Sequence, residues 1–390
     1  MASLSKNASR IVQSEIRIMS VECEKVRGVN LAQGICDTEV PLPVRRAAKA
    51  AIDGGVNSYT RLTGLDDLRR AIAHKLRDYN RIEADPETEI VVTVGSTGAF
   101  YSSCMALLDP GDEVIVFEPF YSYHVNTLTA MQAVPVYVTL QPPDWRFTSE
   151  ILERMATPRT KAIVLNTPAN PSGKVFTRKE IELVADFAIR HDLFIFTDEI
   201  YEYFLYDGAE HLSPAGLPGM QDRTITISGF SKTFSVTGWR VGYLACSARW
   251  APSIGYFHDL AYVCAPSPLQ RGVAAGLEEL SPAFYRDLAA EYLNKRDVLC
   301  STLQEVGLQP LIPQGSYYVL ADASALPGST SKQKAMWLLD KTRVAAVPGA
   351  SFFHDDMGDN LLRFCFAKTD AELAEACKRL QKLKAAVAVG

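Results

Sequence analysis

The chain has 390 residues, 47% of them hydrophobic and 22% charged, with a formal net charge of −5. This is ordinary soluble globular composition, at a length that suits one large and one small domain. The mild acidity and the lack of any Lys/Arg-rich run exclude nucleic acid as the main partner, and no apolar stretch approaches membrane-spanning length.

Met1 to Arg10 is polar and lacks the apolar core of a secretory signal, which points to the cytoplasm. Residues 90–94 read as a strand, and 98–108 as a helix opened by the turn Gly95-Ser96-Thr97-Gly98. A strand at 113–117 follows the turn Asp109-Pro110-Gly111-Asp112, and another runs over 134–140. A short helix covers 149–155 and a strand 162–165. The stretch 177–191 is an amphipathic helix opened by Thr177, with Glu180 three residues on, the pattern of a capping box. Strands follow at 193–197, 224–228 and 241–246. A long helix, 282–306, leads to a strand at 317–320, a helix at 331–341, a strand at 361–366 and a final helix from Asp370. This alternation predicts an α/β fold: a mostly parallel sheet in a large domain with helices on both faces, plus a smaller α+β domain. The expected boundaries are 44–281 for the large domain, and 1–43 with 282–390 for the small one.

In such a sheet, ligands collect beyond the carboxyl ends of the strands. Ser96, Asn170, Asp198 and Lys232 all lie in loops that follow strands, so topology alone brings them to one edge. The eight cysteines contain no Cys-x-x-Cys pair and read as buried, reduced thiols. The six histidines show no metal-ligand spacing, so no metal is expected.

Lys232 is the most informative residue. Lysines are usually solvated surface charges, but this one sits between two buried strands, in Ser228-Gly229-Phe230-Ser231-Lys232-Thr233-Phe234-Ser235. Small and hydroxylated neighbours, with Arg240 eight positions on, suit an amine that condenses with a phosphate-bearing aldehyde. Pyridoxal 5'-phosphate (PLP) is such an aldehyde. Asn166-Thr167-Pro168-Ala169-Asn170-Pro171-Ser172-Gly173 is a turn in which a side-chain amide is presented after a strand. In Asp198-Glu199-Ile200-Tyr201, the strand-end carboxylate either caps the N-terminus of a helix or meets a positive group. Arg363 stands inside the apolar run Leu361-Leu362-Arg363-Phe364-Cys365-Phe366, and a guanidinium there needs an anion, internal or bound.

Together these motifs resemble the class I, fold-type I PLP-dependent aminotransferases, the subgroup with aspartate, aromatic and kynurenine aminotransferases, nearly end to end. The resemblance implies that Lys232 holds PLP and then moves the substrate's Cα proton. It implies that Asp198 faces the ring nitrogen, that Asn170 and Tyr201 hold the phenolic oxygen, and that Tyr121 stacks on the ring. Ser96, Thr97, Gly98, Ser231 and Arg240 would hold the phosphate. Family members often have serine three residues before the lysine; here Gly229 stands there, and Ser231 or Ser228 is expected to compensate. Arg363 would clamp the substrate α-carboxylate with two parallel hydrogen bonds, beside Gly34 and Asn170. Cys36 replaces a frequent proline, so the entrance loop is expected to differ. Tyr59 resembles the tyrosine that reaches the phosphate in the other subunit, which implies a homodimer with shared sites.

The implied reaction moves an amino group between an L-amino acid and a 2-oxo acid such as 2-oxoglutarate. Residues 118–123 resemble enzymes for aromatic, kynurenine or methionine-type substrates, so aromatic or broad neutral donors are expected. Thr97 stands where dicarboxylate-specific members can carry a lysine. Aspartate stays open, because Arg17 or Arg61 could supply the charge. A PLP-dependent C–S or β-lyase on the same fold is the other alternative.

Overall fold

The structure is a computed structural model and describes residues 2–5, 7–11 and 13–384. Strand β1 (Val29–Asn30) precedes seven strands of one sheet: β2 (Ile90–Val94), β3 (Glu113–Glu118), β4 (Val134–Thr139), β5 (Thr160–Asn166), β6 (Phe194–Asp198), β7 (Thr224–Gly229) and β8 (Val241–Ala245). Their order is β2-β8-β7-β6-β5-β3-β4. The run from β7 to β4 pairs parallel, while β8 is antiparallel to both its neighbours. Every residue of β3 and of β7 is buried, with no alternation. That is the pattern of a sheet covered on both faces by helices.

Two differences from the sequence-based expectations bear on the site. The helix after β2 spans Gly95–Leu107, so it starts three residues before Gly98. Ser96 and Thr97 therefore lie in its first turn, where backbone N–H groups have no helical partner. A helix over Ser122–Ala130 connects β3 to β4. Its polar and β-branched residues have low helix propensity, and burial of His124 and Leu128 holds it in place. The capping box is present: Thr177 and Glu180 bond each other's backbone at the start of Arg178–Arg190.

Strands β9 (Gln309–Leu311), β10 (Tyr318–Asp322), β11 (Val344–Ala345), β12 (Val347–Pro348) and β13 (Leu361–Cys365) follow. β12-β13-β10-β9 form an antiparallel sheet, and β11 pairs parallel with β1. The N-terminal segment is thus tied to the C-terminal part. Glu15 pairs with Lys332, and Cys365 N–H donates to Leu31 O at 2.8 Å. No described helix is long and apolar enough to cross a membrane, and none of the eight cysteines forms a disulfide.

Candidate active site

Sheet register explains why distant motifs meet. Asn166 and Asp198 are direct partners at the ends of β5 and β6. β7 ends at Gly229, three residues before Lys232. Because β8 runs antiparallel, it begins on this same edge, which brings Arg240 beside the loop that carries Lys232. Val94 pairs with Val241, so the Gly95-Ser96-Thr97 turn arrives there too. These loops surround a cavity of about 460 Å³. Gly34, Ser96, Thr97, Tyr121, Asn170, Asp198, Tyr201, Ser231, Lys232 and Arg240 all line it. Gly98, Tyr59 and Arg363 do not. Gly98 is buried in the helix beneath the turn, where a Cβ would lie 3.5 Å from the Tyr262 ring. Tyr59 is 82% exposed.

Lys232 Nζ lies 3.4 Å from Gly34 O, with the Tyr317 and Tyr201 rings 5.8 and 6.0 Å away. Burial, above all, holds its pKa below the ordinary lysine value; nearby Arg240 adds to this, while Asp198 opposes it. Cys36 and Cys365 sit close by, but burial pushes both thiols up. Near neutral pH they are uncharged and give the lysine no counter-ion. Cys36 packs on the lysine's own backbone, its Sγ 3.6 Å from Lys232 O. Lys232 is therefore an amine biased toward its neutral, nucleophilic form.

The phosphate end is a backbone cradle. Gly95 has φ +67°, and a Cβ there would collide with the Arg240 guanidinium. A Cβ on Gly242 would lie 2.5 Å from Gly95 C and 2.6 Å from Ser96 N. Only glycine lets β8 approach the helix start this closely. Arg240 itself is left-handed (φ +56°), and its Nη1 donates to Thr237 O at 3.1 Å. Helix N–H groups, two hydroxyls and a guanidinium so converge on one spot, a site for a dianion. Of the two candidate serines, Ser231 lines the cavity. Ser228 does not; its hydroxyl donates to Glu202 Oε1 at 3.0 Å. One further residue, His258, shapes this end. Its Nε2 accepts the Val94 N–H at 2.9 Å, and burial lowers its pKa to about 4.

Asp198 caps a turn rather than a helix, and it faces a histidine. Its Oδ1 accepts the Ile200 N–H at 3.2 Å, and its Oδ2 lies 3.0 Å from His124 Nε2. No lysine or arginine pairs with it among the described residues, although it is buried. A protonated ring nitrogen suits such a carboxylate. His124 went unmarked in the sequence because it stands in the first turn of a helix that the sequence did not predict. Behind Asp198, the buried Glu199 accepts bonds from Thr197 (3.0 Å) and Asn80 (3.2 Å) and lies 2.9 Å from His211 Nε2, which pins the loop. Asn166 Nδ2 donates to Asp198 O at 3.0 Å, and its Oδ1 accepts the Asn170 N–H at 2.7 Å. Tyr201 OH bonds Tyr318 OH at 3.2 Å, and Tyr121 stacks on Tyr123 and meets His124 edge-on.

Arg363 is fully buried just behind the cavity. Its Nη1 donates to Asn170 Oδ1 (2.8 Å) and its Nη2 to Ala32 O (2.6 Å), while Nε has no partner. The Tyr318 and Phe352 rings lie 4.2 and 5.0 Å from the guanidinium carbon. Both of its oxygen partners are neutral, and no carboxylate pairs with it among the described residues. Gly34 is required by packing: a Cβ there would overlap the Tyr318 hydroxyl.

A cavity that offers a dianion cradle, a neutral-biased amine and a buried carboxylate with no lysine or arginine partner fits PLP, which carries a phosphate, an aldehyde and a basic ring nitrogen. This combination on a mostly parallel sheet defines a fold-type I PLP enzyme. The chain belongs to the class I and II aminotransferase family, whose model matches residues 26–380. It is 34% identical to aromatic-amino-acid aminotransferase 2 of Thermococcus litoralis, over 97% of this chain and 98% of that protein. It is 35% identical to kynurenine–oxoglutarate transaminase 3 of Rattus norvegicus, over 95% of this chain and 89% of that one. Among solved structures, N-succinyldiaminopimelate aminotransferase from Mycobacterium tuberculosis superposes with a TM-score of 0.94 at 35% identity, covering 98% of this chain and all of that one. The protein is a PLP-dependent aminotransferase acting on amino and 2-oxo acids.

Proposed function

We propose that this aminotransferase carries the amino group of an aromatic or broadly neutral L-amino acid to 2-oxoglutarate, through the residues gathered above. One observation carries the reading: Arg363 is a buried guanidinium with two neutral oxygen partners, a free Nε and no carboxylate. A buried cation with only neutral partners is a ready site for an anion from outside. A substrate α-carboxylate is such an anion, with Asn170 and the Gly34 backbone beside it. The names of the Thermococcus and rat relatives supply the aromatic and oxoglutarate parts of the proposal.

PLP, when bound, takes up the electrons released at the substrate's Cα. The chain's own residues do the rest. Arg240, Ser96, Thr97, Ser231 and the helix start anchor the phosphate. Asp198, steadied by His124, keeps the ring nitrogen protonated, and Asn170 and Tyr201 hold the phenolic oxygen. Tyr121 covers one ring face and excludes water. Lys232 Nζ, its pKa lowered by burial, would take the proton from Cα and deliver it to the carbon that was the cofactor's aldehyde, and would move a proton the opposite way in the second half of a ping-pong cycle.

The same reading divides the chain into 44–281 around the large sheet and 1–43 with 282–390 around the small one. It makes the working unit a cytoplasmic homodimer in which the exposed Tyr59 serves the partner's phosphate. The test is Lys232→Ala, followed by the visible spectrum during titration with phenylalanine. The wild type should lose its cofactor band as the ring takes up the amino group. A variant that turned over at the wild-type rate would end the assignment.

A further inference from the structure

Four arginine and lysine side chains stand at or just behind the cavity: Lys232, Arg240, Arg363 and Arg17. The proposed reading employs the first three. Arg17 has no such task. It lies on the helix Glu15–Lys25, lines the cavity, and has no ion-pair or hydrogen-bond partner for its side chain among the described residues. The sole carboxylate in the described lining, Asp198, is already held by His124 and the Ile200 N–H.

The segment that carries Arg17 is fixed on both sides. Glu15 pairs with Lys332. Ser20 Oγ accepts from Asn30 Nδ2 at 3.0 Å and lies 3.4 Å from Gln33 Oε1. Gln33 also lines the cavity, next to Gly34, whose carbonyl faces Lys232. The Ser96-Thr97 turn contributes no cation. Arg61, the other positive residue considered from sequence, is not in the lining and lies 3.8 and 3.6 Å from Asp66 and Glu87.

We propose that Arg17 binds the side-chain carboxylate of a dicarboxylic substrate, the five-carbon oxo-acid acceptor in particular, and so selects it over monocarboxylic oxo acids. The proposal rests on reading the cavity as the transamination site. A guanidinium suits this task because its planar fork matches a carboxylate with two parallel hydrogen bonds.

The test uses the PLP-loaded enzyme. Calorimetry measures binding of glutarate, which is dicarboxylic and unreactive, against butyrate. Stopped-flow absorbance measures how fast the amino-loaded enzyme returns to the PLP form with 2-oxoglutarate and with 2-oxobutyrate. Arg17→Gln is expected to weaken glutarate about 10- to 100-fold. It should lower the 2-oxoglutarate to 2-oxobutyrate ratio by the same factor, and Arg17→Lys should recover part of it. An unchanged glutarate affinity and an unchanged ratio in Arg17→Gln overturn the proposal and leave the transaminase reading standing. A wild type that reacts with 2-oxobutyrate but not 2-oxoglutarate also overturns it. A wild type that exchanges amino groups with no oxo acid brings down the reading beneath it instead.

Discussion

Arg363→Gln separates a substrate clamp from a structural cation. Burying an unpaired guanidinium costs several kcal/mol. Two charged hydrogen bonds, to Asn170 Oδ1 and Ala32 O, return about 1.5–3 kcal/mol each. Removing charge and bonds together therefore moves stability by no more than about 2 kcal/mol in either direction, a few degrees in Tm at most. Catalysis should respond quite differently. Truncating one partner of a buried, hydrogen-bonded charge pair costs about 2–5 kcal/mol, so kcat/KM should fall about 30- to 5,000-fold. The assays are thermal unfolding of the variant and the spectrum of its first half-reaction with an aromatic amino acid. The reasoning fails if stability drops by the ~3–5 kcal/mol of a broken buried ion pair while kcat/KM per folded molecule stays within about threefold of wild type. Arg363 would then hold the fold and not the substrate.

Two further outcomes follow from the phosphate end. His258 is neutral in the fold, its Nε2 accepting the Val94 N–H and burial lowering its pKa to about 4 from an ordinary 6.5. The unfolded chain takes up this proton first as pH falls, so stability is lost between about 6.5 and 4, by about 3 kcal/mol in total. Denaturant midpoints at pH 7.5 and 4.5 should separate more for wild type than for His258→Gln; equal separations would refute the assignment. Gly242→Ala should leave the sheet intact yet weaken PLP at least about tenfold, because the new Cβ presses on the Gly95-Ser96 backbone. A fluorescence titration of apoenzyme with PLP reads this, and wild-type affinity would sink it.

Much of the site was legible because its chemistry lies in contiguous motifs at strand ends. The turn at 166–173, the Asp198 segment and the Lys232 loop each announce themselves by residue type and position after an apolar run. Arg363 was visible for the opposite reason, as a charge where none belongs. What stayed hidden depends on long-range packing. His124 occupies a helix whose sequence favours a loop, and only the fold sets it against Asp198. His258, whose acceptor role was equally invisible, meets Val94 across 164 residues of sequence. Ser228 and Ser231 looked equivalent until one hydroxyl turned out to be committed to Glu202.

The carbonyls of Ala32 and Gly34 hold Arg363 and Lys232 respectively, and the first of these bonds joins residues 331 apart in sequence. On a ribosome that adds about 5–20 residues per second, the early segment waits about 20–70 seconds for its partner to emerge. The seven-stranded sheet can be complete well before then, since its last strand ends at Ala245. Enzyme competence is therefore the final event of biogenesis. A chain released before Arg363 can form its sheet and present Lys232, but it cannot assemble the pocket around them, so translation must run nearly to completion before any chemistry is possible.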